Sequence, residues 1–235
     1  MPKAPPANHD RKPHAMTAQP AASFAAIRAG LYTAVVADVL DALGFRHQAI
    51  AGPLDSMSGD GLLVGRAKTT LWEAVDGLDP NPYELELVAV DACCPDDVLV
   101  CAAGGSMASG IWGELLSTAA RNSGCAGAIV DGAVRDVAKM HALGFRVFAR
   151  GTCPLDSLHR QRVSAVDVPV EVGGVQIAPG ELVFADADGA VVVPRVIEAE
   201  ALAKAWDKVT AENRVRDEIR AGSKAGEVFR KYGVL

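Results

Sequence analysis

The sequence predicts an α/β fold, and three observations carry that prediction. Short apolar runs of strand length, 98–102 (VLVCA), 126–130 (AGAIV) and 147–149 (VFA), alternate with stretches of helical spacing. The second half carries alternating apolar segments punctuated by Gly173-Gly174 and Pro179-Gly180, a hairpin pattern. The chain then closes on a long helical stretch from Val196 to about Ala221. With 235 residues, 50% of them hydrophobic and 22% charged, one domain over 23–235 has enough apolar surface to bury a core.

Composition excludes several function classes. The net charge is -6 and no basic patch stands out, which argues against nucleic acid as a partner. No apolar run approaches the roughly 20 residues of a membrane span. Residues 1–22 are rich in Pro and Ala and lack an apolar core segment, so they read as a disordered tail rather than a secretory signal. His9 and His14 lie in that tail as incidental residues. The five cysteines (93, 94, 101, 125 and 153) include no CxxC pair, which argues against a disulfide framework or zinc site and for a reducing cytoplasm.

The elements follow in order. Residues 23–43 have apolar positions every four residues, from Ile27 to Leu43. Gly30 separates two short helices, Thr33 is a candidate N-cap and Gly44 a C-cap. Residues 61–71 read as a strand interrupted at Gly65, and 84–91 as a short helix or a strand. Asp96 and Asp97 follow Pro95 as turn formers. The glycine-rich run 103–113 (AGGSMASGIWG) reads as a connection. It lacks the spacing of a nucleotide-binding loop, although its bare amides suit a small anion.

The richest stretch is 113–136. A helix from about Gly113 to Asn122 has Trp112, Leu115, Leu116 and Ala119 as its buried stripe. Glu114 lies about 160–200° away from that stripe, on the polar side with Ser117 and Arg121. A first-turn Glu ordinarily complements the helix dipole at the surface. After the strand at 126–130, Asp131-Gly132 reads as a tight turn. Asp136 then precedes VAKMHAL and Gly144, the pattern of a capped short helix. Asp136 is therefore a cap or a functional carboxylate, and Arg135 a surface ion-pair partner or a substrate cation. Their position after a buried strand favours function, because ligands of open α/β sheets gather at the carboxyl ends of strands. In the last helix Leu202, Ala205, Trp206 and Val209 form a stripe that runs on into Glu212, Asn213 and Arg216. Glu212 and Arg216 are either an ordinary i,i+4 pair or part of a polar site.

These residues resemble the RraA-like proteins and their relatives, the class II pyruvate aldolases acting on 4-hydroxy-4-methyl-2-oxoglutarate and 4-carboxy-4-hydroxy-2-oxoadipate. The family pattern is an acidic residue, twenty residues, then Arg-Asp; here it is Glu114, then 115–134, then Arg135-Asp136. GAIVDGAVRDV, FARGTCP, PGELVFADADGAVVVPR and the Thr33/Asp38 pair extend the match over about 24–235. The resemblance implies a compact α/β/β/α sandwich of the swivelling type, assembled as a trimer or hexamer. It implies Mg²⁺ or Mn²⁺ held by Asp136, water held by Glu114, and a small 2-keto acid bound by Arg135. The amides of Gly113, Glu114, Leu115 and Leu116 would take the substrate carboxylate, and Glu212 would reach a neighbouring subunit's site. The implied activity is metal-dependent cleavage of a 4-hydroxy-2-keto acid to pyruvate, with oxaloacetate decarboxylation through the same enolate. The alternative is a non-catalytic regulator that binds a ribonuclease. A methyltransferase activity, also attached to the family, lacks its glycine-rich nucleotide loop here.

Overall fold

The computed structural model describes residues 23–234; the tail expected over 1–22 lies outside them. In chain order the elements are α1 (Phe24–Gly30), α2 (Thr33–Ala42), β1 (Asp55–Ser58), β2 (Leu63–Ala74), α3 (Glu84–Asp91), β3 (Asp97–Trp112), α4 (Glu114–Asn122), β4 (Gly127–Val134), α5 (Val137–Leu143), β5 (Arg146–Thr152), β6 (Gln161–Val166), β7 (Val170–Val172), β8 (Val175–Ile177), β9 (Leu182–Asp186), β10 (Gly189–Val193), α6 (Glu198–Arg220) and α7 (Ala225–Tyr232). Eight strands form a mixed sheet in the order β1-β5-β4-β3-β2-β9-β10, with β6 pairing the far end of β2. Its centre, β2-β3-β4-β5, is parallel. The β7–β8 hairpin stands apart.

The two-residue period of the strands sorts the core into layers. Val98, Val100 and Ala102 of β3 face inward with Ile129, Phe148, Val183 and the β7–β8 valines. Leu99 and Cys101, between them, face outward under α3, α4 and α5 with Val130, Val147 and Met140. On β9 and β10, Leu182, Phe184, Val191 and Val193 face the other way, under α1, α2 and α6. The sheet thus curls into a nearly closed, barrel-like wall around a shared inner core, with helices outside each half. That is the expected α/β/β/α order, with α6 as the long C-terminal helix.

Several local expectations change. Residues 84–91 are a helix. The strand at 61–71 is not interrupted at Gly65: β2 runs through it, and a side chain there would collide with the Asp96 carbonyl. The glycine-rich run is not a connection but the second half of β3, its register against β4 shifted between Ala102 and Ser106, between Ser106 and Gly110, and again before Trp112. Gly104 and Gly105 have φ of 61° and 74°, which L-residues seldom adopt, and they carry the first irregularity. Asp131-Gly132 is not a turn either. β4 passes straight through it, and buried Asp131 meets Arg150 Nε at 2.7 Å. Thr33 caps nothing; its amide and hydroxyl donate to Asp186 at 2.8 and 2.5 Å, tying α2 to β9.

Candidate active site

The parallel strands β3, β4 and β5 end side by side, and their carboxyl ends build a cleft of about 350 Å³. Its walls include Gly110, Gly113, Leu115, Leu116, Arg135 and Asp136. The backbone around the Arg-Asp pair is fixed from both sides. The Arg135 amide donates to the Trp112 carbonyl at 2.9 Å, and the Cys153 amide donates to the Val134 carbonyl at 2.9 Å.

Asp136 occupies the position before α5, yet it is no hydrogen-bonded cap. Its backbone is left-handed (φ 58°, ψ 30°) and its side chain makes no capping bond. A non-glycine residue held there costs about 1–3 kcal/mol, so the surrounding structure imposes the conformation. The result is a carboxylate directed back toward the start of α4. A Cβ added at Gly113 would lie 2.9 Å from Asp136 Oδ2 and 3.3 Å from Arg135 Cγ. At Gly110 it would lie 3.0 Å from Arg135 Cβ and 2.6 Å from the Cys153 carbonyl. Both glycines are therefore spaces that Arg135 and Asp136 require. The first-turn amides of α4 open beside them, since Gly113 supplies no capping side chain.

Arg135 pairs with Asp156 at 2.7 Å, from the loop after β5. Asp156 also accepts from the Tyr83 hydroxyl at 2.9 Å and the Leu158 amide at 2.8 Å. Burial pushes the Asp156 carboxyl up, but these donors and Arg135 outweigh it and hold the carboxyl below its usual range. Tyr83 is raised to about 12, by burial and then by its bond to Asp156. Glu86 of α3 lines the same cleft and is only 7% exposed. Its Oε2 has no hydrogen-bond partner among the described residues. Burial, and then the Asp156 charge, push Glu86 up to about 8, with Arg135 opposing.

Of the sequence-derived candidates, the structure thus brings Gly113, Leu115, Leu116, Arg135 and Asp136 together. Leu115 is not in a buried stripe: it is 77% exposed. Ser117, expected on the polar side, is buried and bridges Trp112 Nε1 and the Gly113 carbonyl, each at 2.8 Å. Glu114 is half-buried and accepts from the Thr118 hydroxyl at 3.0 Å, outside the cleft lining. Glu212 lies in a separate cavity of about 400 Å³ between α2 and α6. It accepts from the Tyr32 hydroxyl and lies 3.7 Å from Lys208, not paired with Arg216, which bonds Asn213 instead. Lys208 also pairs with Asp38 at 2.9 Å. Tyr83, Glu86 and Asp156 are site residues that sequence reasoning missed. A signal existed for one: Glu86 falls on the same helical face as buried Ala89, Val90 and Cys93.

Among the described residues, no group of three or more His, Cys, Asp or Glu could enclose a metal. Asp136, free of any capping bond, still fits a cation such as Mg²⁺, which keeps several waters and uses one or two carboxylates. No described helix is long and apolar enough to cross a membrane.

An α/β fold with its candidate site at the carboxyl ends of parallel strands is one that many enzymes share. Residues 33–192 match the RraA-like family, described as Aldolase/RraA, and the chain belongs to that family. It is 32% identical over 185 residues to a Halalkalibacterium halodurans protein named "Putative 4-hydroxy-4-methyl-2-oxoglutarate aldolase", covering 79% of this chain and 82% of that one. Among solved structures, an uncharacterized Pseudomonas syringae protein superposes with a TM-score of 0.75 at 28% identity, covering 84% of this chain and 92% of that chain. Streptomyces coelicolor RraAS2, described as an unusual member of the RNase ES inhibitor RraA family, superposes with a TM-score of 0.71 at 31% identity, covering 79% and 91%.

Proposed function

We propose that this chain is a divalent-metal-dependent lyase that cleaves 4-hydroxy-2-keto acids, of the 4-hydroxy-4-methyl-2-oxoglutarate type, to pyruvate. One observation carries the reading: the uncapped Asp136 carboxylate, held by a left-handed backbone against Gly113, beside Arg135 and the open amides of α4. In this reading the amides of Gly113, Glu114, Leu115 and Leu116 bind the substrate's C1 carboxylate. Arg135 binds the 2-keto oxygen and stabilises the negative charge that develops there as the C3–C4 bond breaks. Asp136 would hold Mg²⁺ or Mn²⁺, which supplies further positive charge at that oxygen when bound. Glu114, which accepts from Thr118 here, would turn toward Asp136 to orient water beside it. Oxaloacetate, on losing CO₂, reaches the same pyruvate enolate, so the site would also decarboxylate it.

Glu212 belongs to this reading only across a subunit boundary, because its cavity is separate from its own chain's cleft. The exposed Leu87 and Leu115 of the cleft, with exposed Val88 next to Leu87 on α3, support assembly as a trimer or hexamer, which light scattering after gel filtration would measure.

The test is pyruvate formation from 4-hydroxy-4-methyl-2-oxoglutarate and from oxaloacetate, with Mg²⁺ and with chelator. Arg135→Ala and Asp136→Ala should each abolish turnover and leave thermal unfolding near that of the wild type. No metal-dependent pyruvate from either substrate would reject the reading. The likeness to RraAS2 favours a second one, a regulator that binds a ribonuclease. Capture of purified endoribonuclease by a chain that forms no pyruvate would support it.

A further inference from the structure

Of the polar groups in the Arg135 cleft that the roles above leave unused, Tyr83 and Asp156 bond each other and Glu86 stands apart. Glu86 projects from the first turn of α3 into the same wall, almost fully buried, with Oε2 unpartnered among the described residues. An orphaned buried carboxyl costs about 1–3 kcal/mol or more. Arg135 and Asp156 are both close enough to act on it electrostatically. We propose, resting on the lyase reading, that Glu86 is the proton carrier of the reaction, taking the proton from the substrate's C4 hydroxyl and returning it to C3.

The step balances without a further reactant. The hydroxyl proton passes to a Glu86 carboxylate oxygen, and the O–H electron pair becomes the new C4=O bond. The C3–C4 pair moves to form C2=C3, and the keto pair moves onto the C2 oxygen beside Arg135. After the carbonyl product leaves, protonated Glu86 delivers its proton to C3, giving pyruvate and restoring the carboxylate.

The surroundings suit a carrier. The groups facing Glu86 are Asp156 from the loop after β5, Arg135 after β4, Tyr83 beside α3 and Cys101 of β3, with Asp136 on the same cleft. Burial and Asp156 raise its proton affinity to about 8, near the range in which a group can both take and give a proton around neutrality. Oxaloacetate decarboxylation needs no proton removed, so it depends on Glu86 less than aldol cleavage does.

The experiment compares the full-length wild type with Glu86→Gln and Glu86→Asp in the presence of Mg²⁺. It measures cleavage of 4-hydroxy-4-methyl-2-oxoglutarate, exchange of pyruvate methyl hydrogens with D₂O by NMR, and pyruvate binding by calorimetry. Gln matches protonated Glu in shape, so the fold is retained, and circular dichroism checks it. We expect Glu86→Gln to lose about 100-fold or more in both cleavage and exchange, while pyruvate binds within about threefold of wild type. Glu86→Asp should recover part of both rates. Cleavage and exchange within about threefold of wild type in the folded Gln variant would overturn the proposal. A wild type inert in both rates would instead overturn the lyase reading, and the proposal with it, a result recognisable before any variant is made.

Discussion

Replacing Gly113 with Ala should separate activity from stability. Gly113 is extended (φ -158°, ψ -165°), a conformation Ala adopts freely, so the backbone has no reason to move. The new methyl would sit 2.9 Å from Asp136 Oδ2, whereas ordinary contact begins near 3.4 Å. The atom it meets is the free end of a side chain, so the carboxylate yields by roughly 0.5 Å or leaves its rotamer at a cost of about 0.5–1.5 kcal/mol. Replacing Gly by Ala at a helix N-cap costs about 0.5–1 kcal/mol, which the stiffer unfolded chain largely offsets, so stability should change by about 1 kcal/mol at most. Turnover should fall at least about tenfold, since a displacement of order 1 Å in a catalytic group can cost about 100-fold. Pyruvate formation and thermal denaturation of the same preparation decide it. Gly110→Ala is the contrast: its methyl would lie 2.6 Å from the Cys153 carbonyl, which is backbone, so it should destabilise the fold by about 1–3 kcal/mol. A Gly113→Ala enzyme as active as wild type would refute the claim that this glycine is the space Asp136 needs.

Three further outcomes follow from the same geometry. Asp131→Ala strands buried Arg150 without its 2.7 Å partner and should cost about 3–5 kcal/mol in urea denaturation. Ser117→Ala leaves the buried Trp112 indole N–H without an acceptor and should cost about 1–3 kcal/mol, read the same way. Glu86 titrates at about 8 when folded against an ordinary 4.5, so the folded chain keeps a proton that the unfolded chain has released. Wild-type stability should therefore fall as pH rises from about 4.5 to about 8 and then level off, by roughly 3–5 kcal/mol in all. Glu86→Gln should lack that slope, and denaturant midpoints measured across this window would show it.

The parts of the fold legible in the sequence were those set by local pattern. Continuous apolar runs mark β3, β4 and β9 as buried strands, and Gly144 ends α5 with the positive φ that glycine permits. What failed were local signals with two physical solutions. Asp131-Gly132 has the composition of a turn, but a turn former becomes a strand residue when a buried cation 2.7 Å away takes its charge. The glycines of 103–113 suggested a connection because glycine is usually flexible. Gly110 in β3 and Gly113 just after it are instead places where Arg135, Asp136 and the Cys153 carbonyl come within contact distance, while Gly104 and Gly105 supply the positive φ of the irregularity in β3. Asp136 carries a cap's sequence position and a left-handed backbone that removes the cap.

The acidic residues show how far pattern reaches. Glu212 continues the apolar stripe of α6, and Glu86 lies on that of α3; each is a charge where a helix turns its buried face inward. A structural charge in that position finds a partner, and Glu212 does, in Tyr32 and Lys208. Glu86 Oε2 finds none among the described residues. Helical periodicity marks both positions alike, because it reports the face and not what packs against it. What distinguishes them is supplied by segments distant in sequence: α2 lies over Glu212, while Arg135 and Asp156, some 50 to 70 residues after Glu86, converge on it only once β4 and β5 lie parallel. A missing partner inside a cleft that already holds an arginine is thus a stronger pointer to function than the buried charge itself, and it exists only in the folded chain.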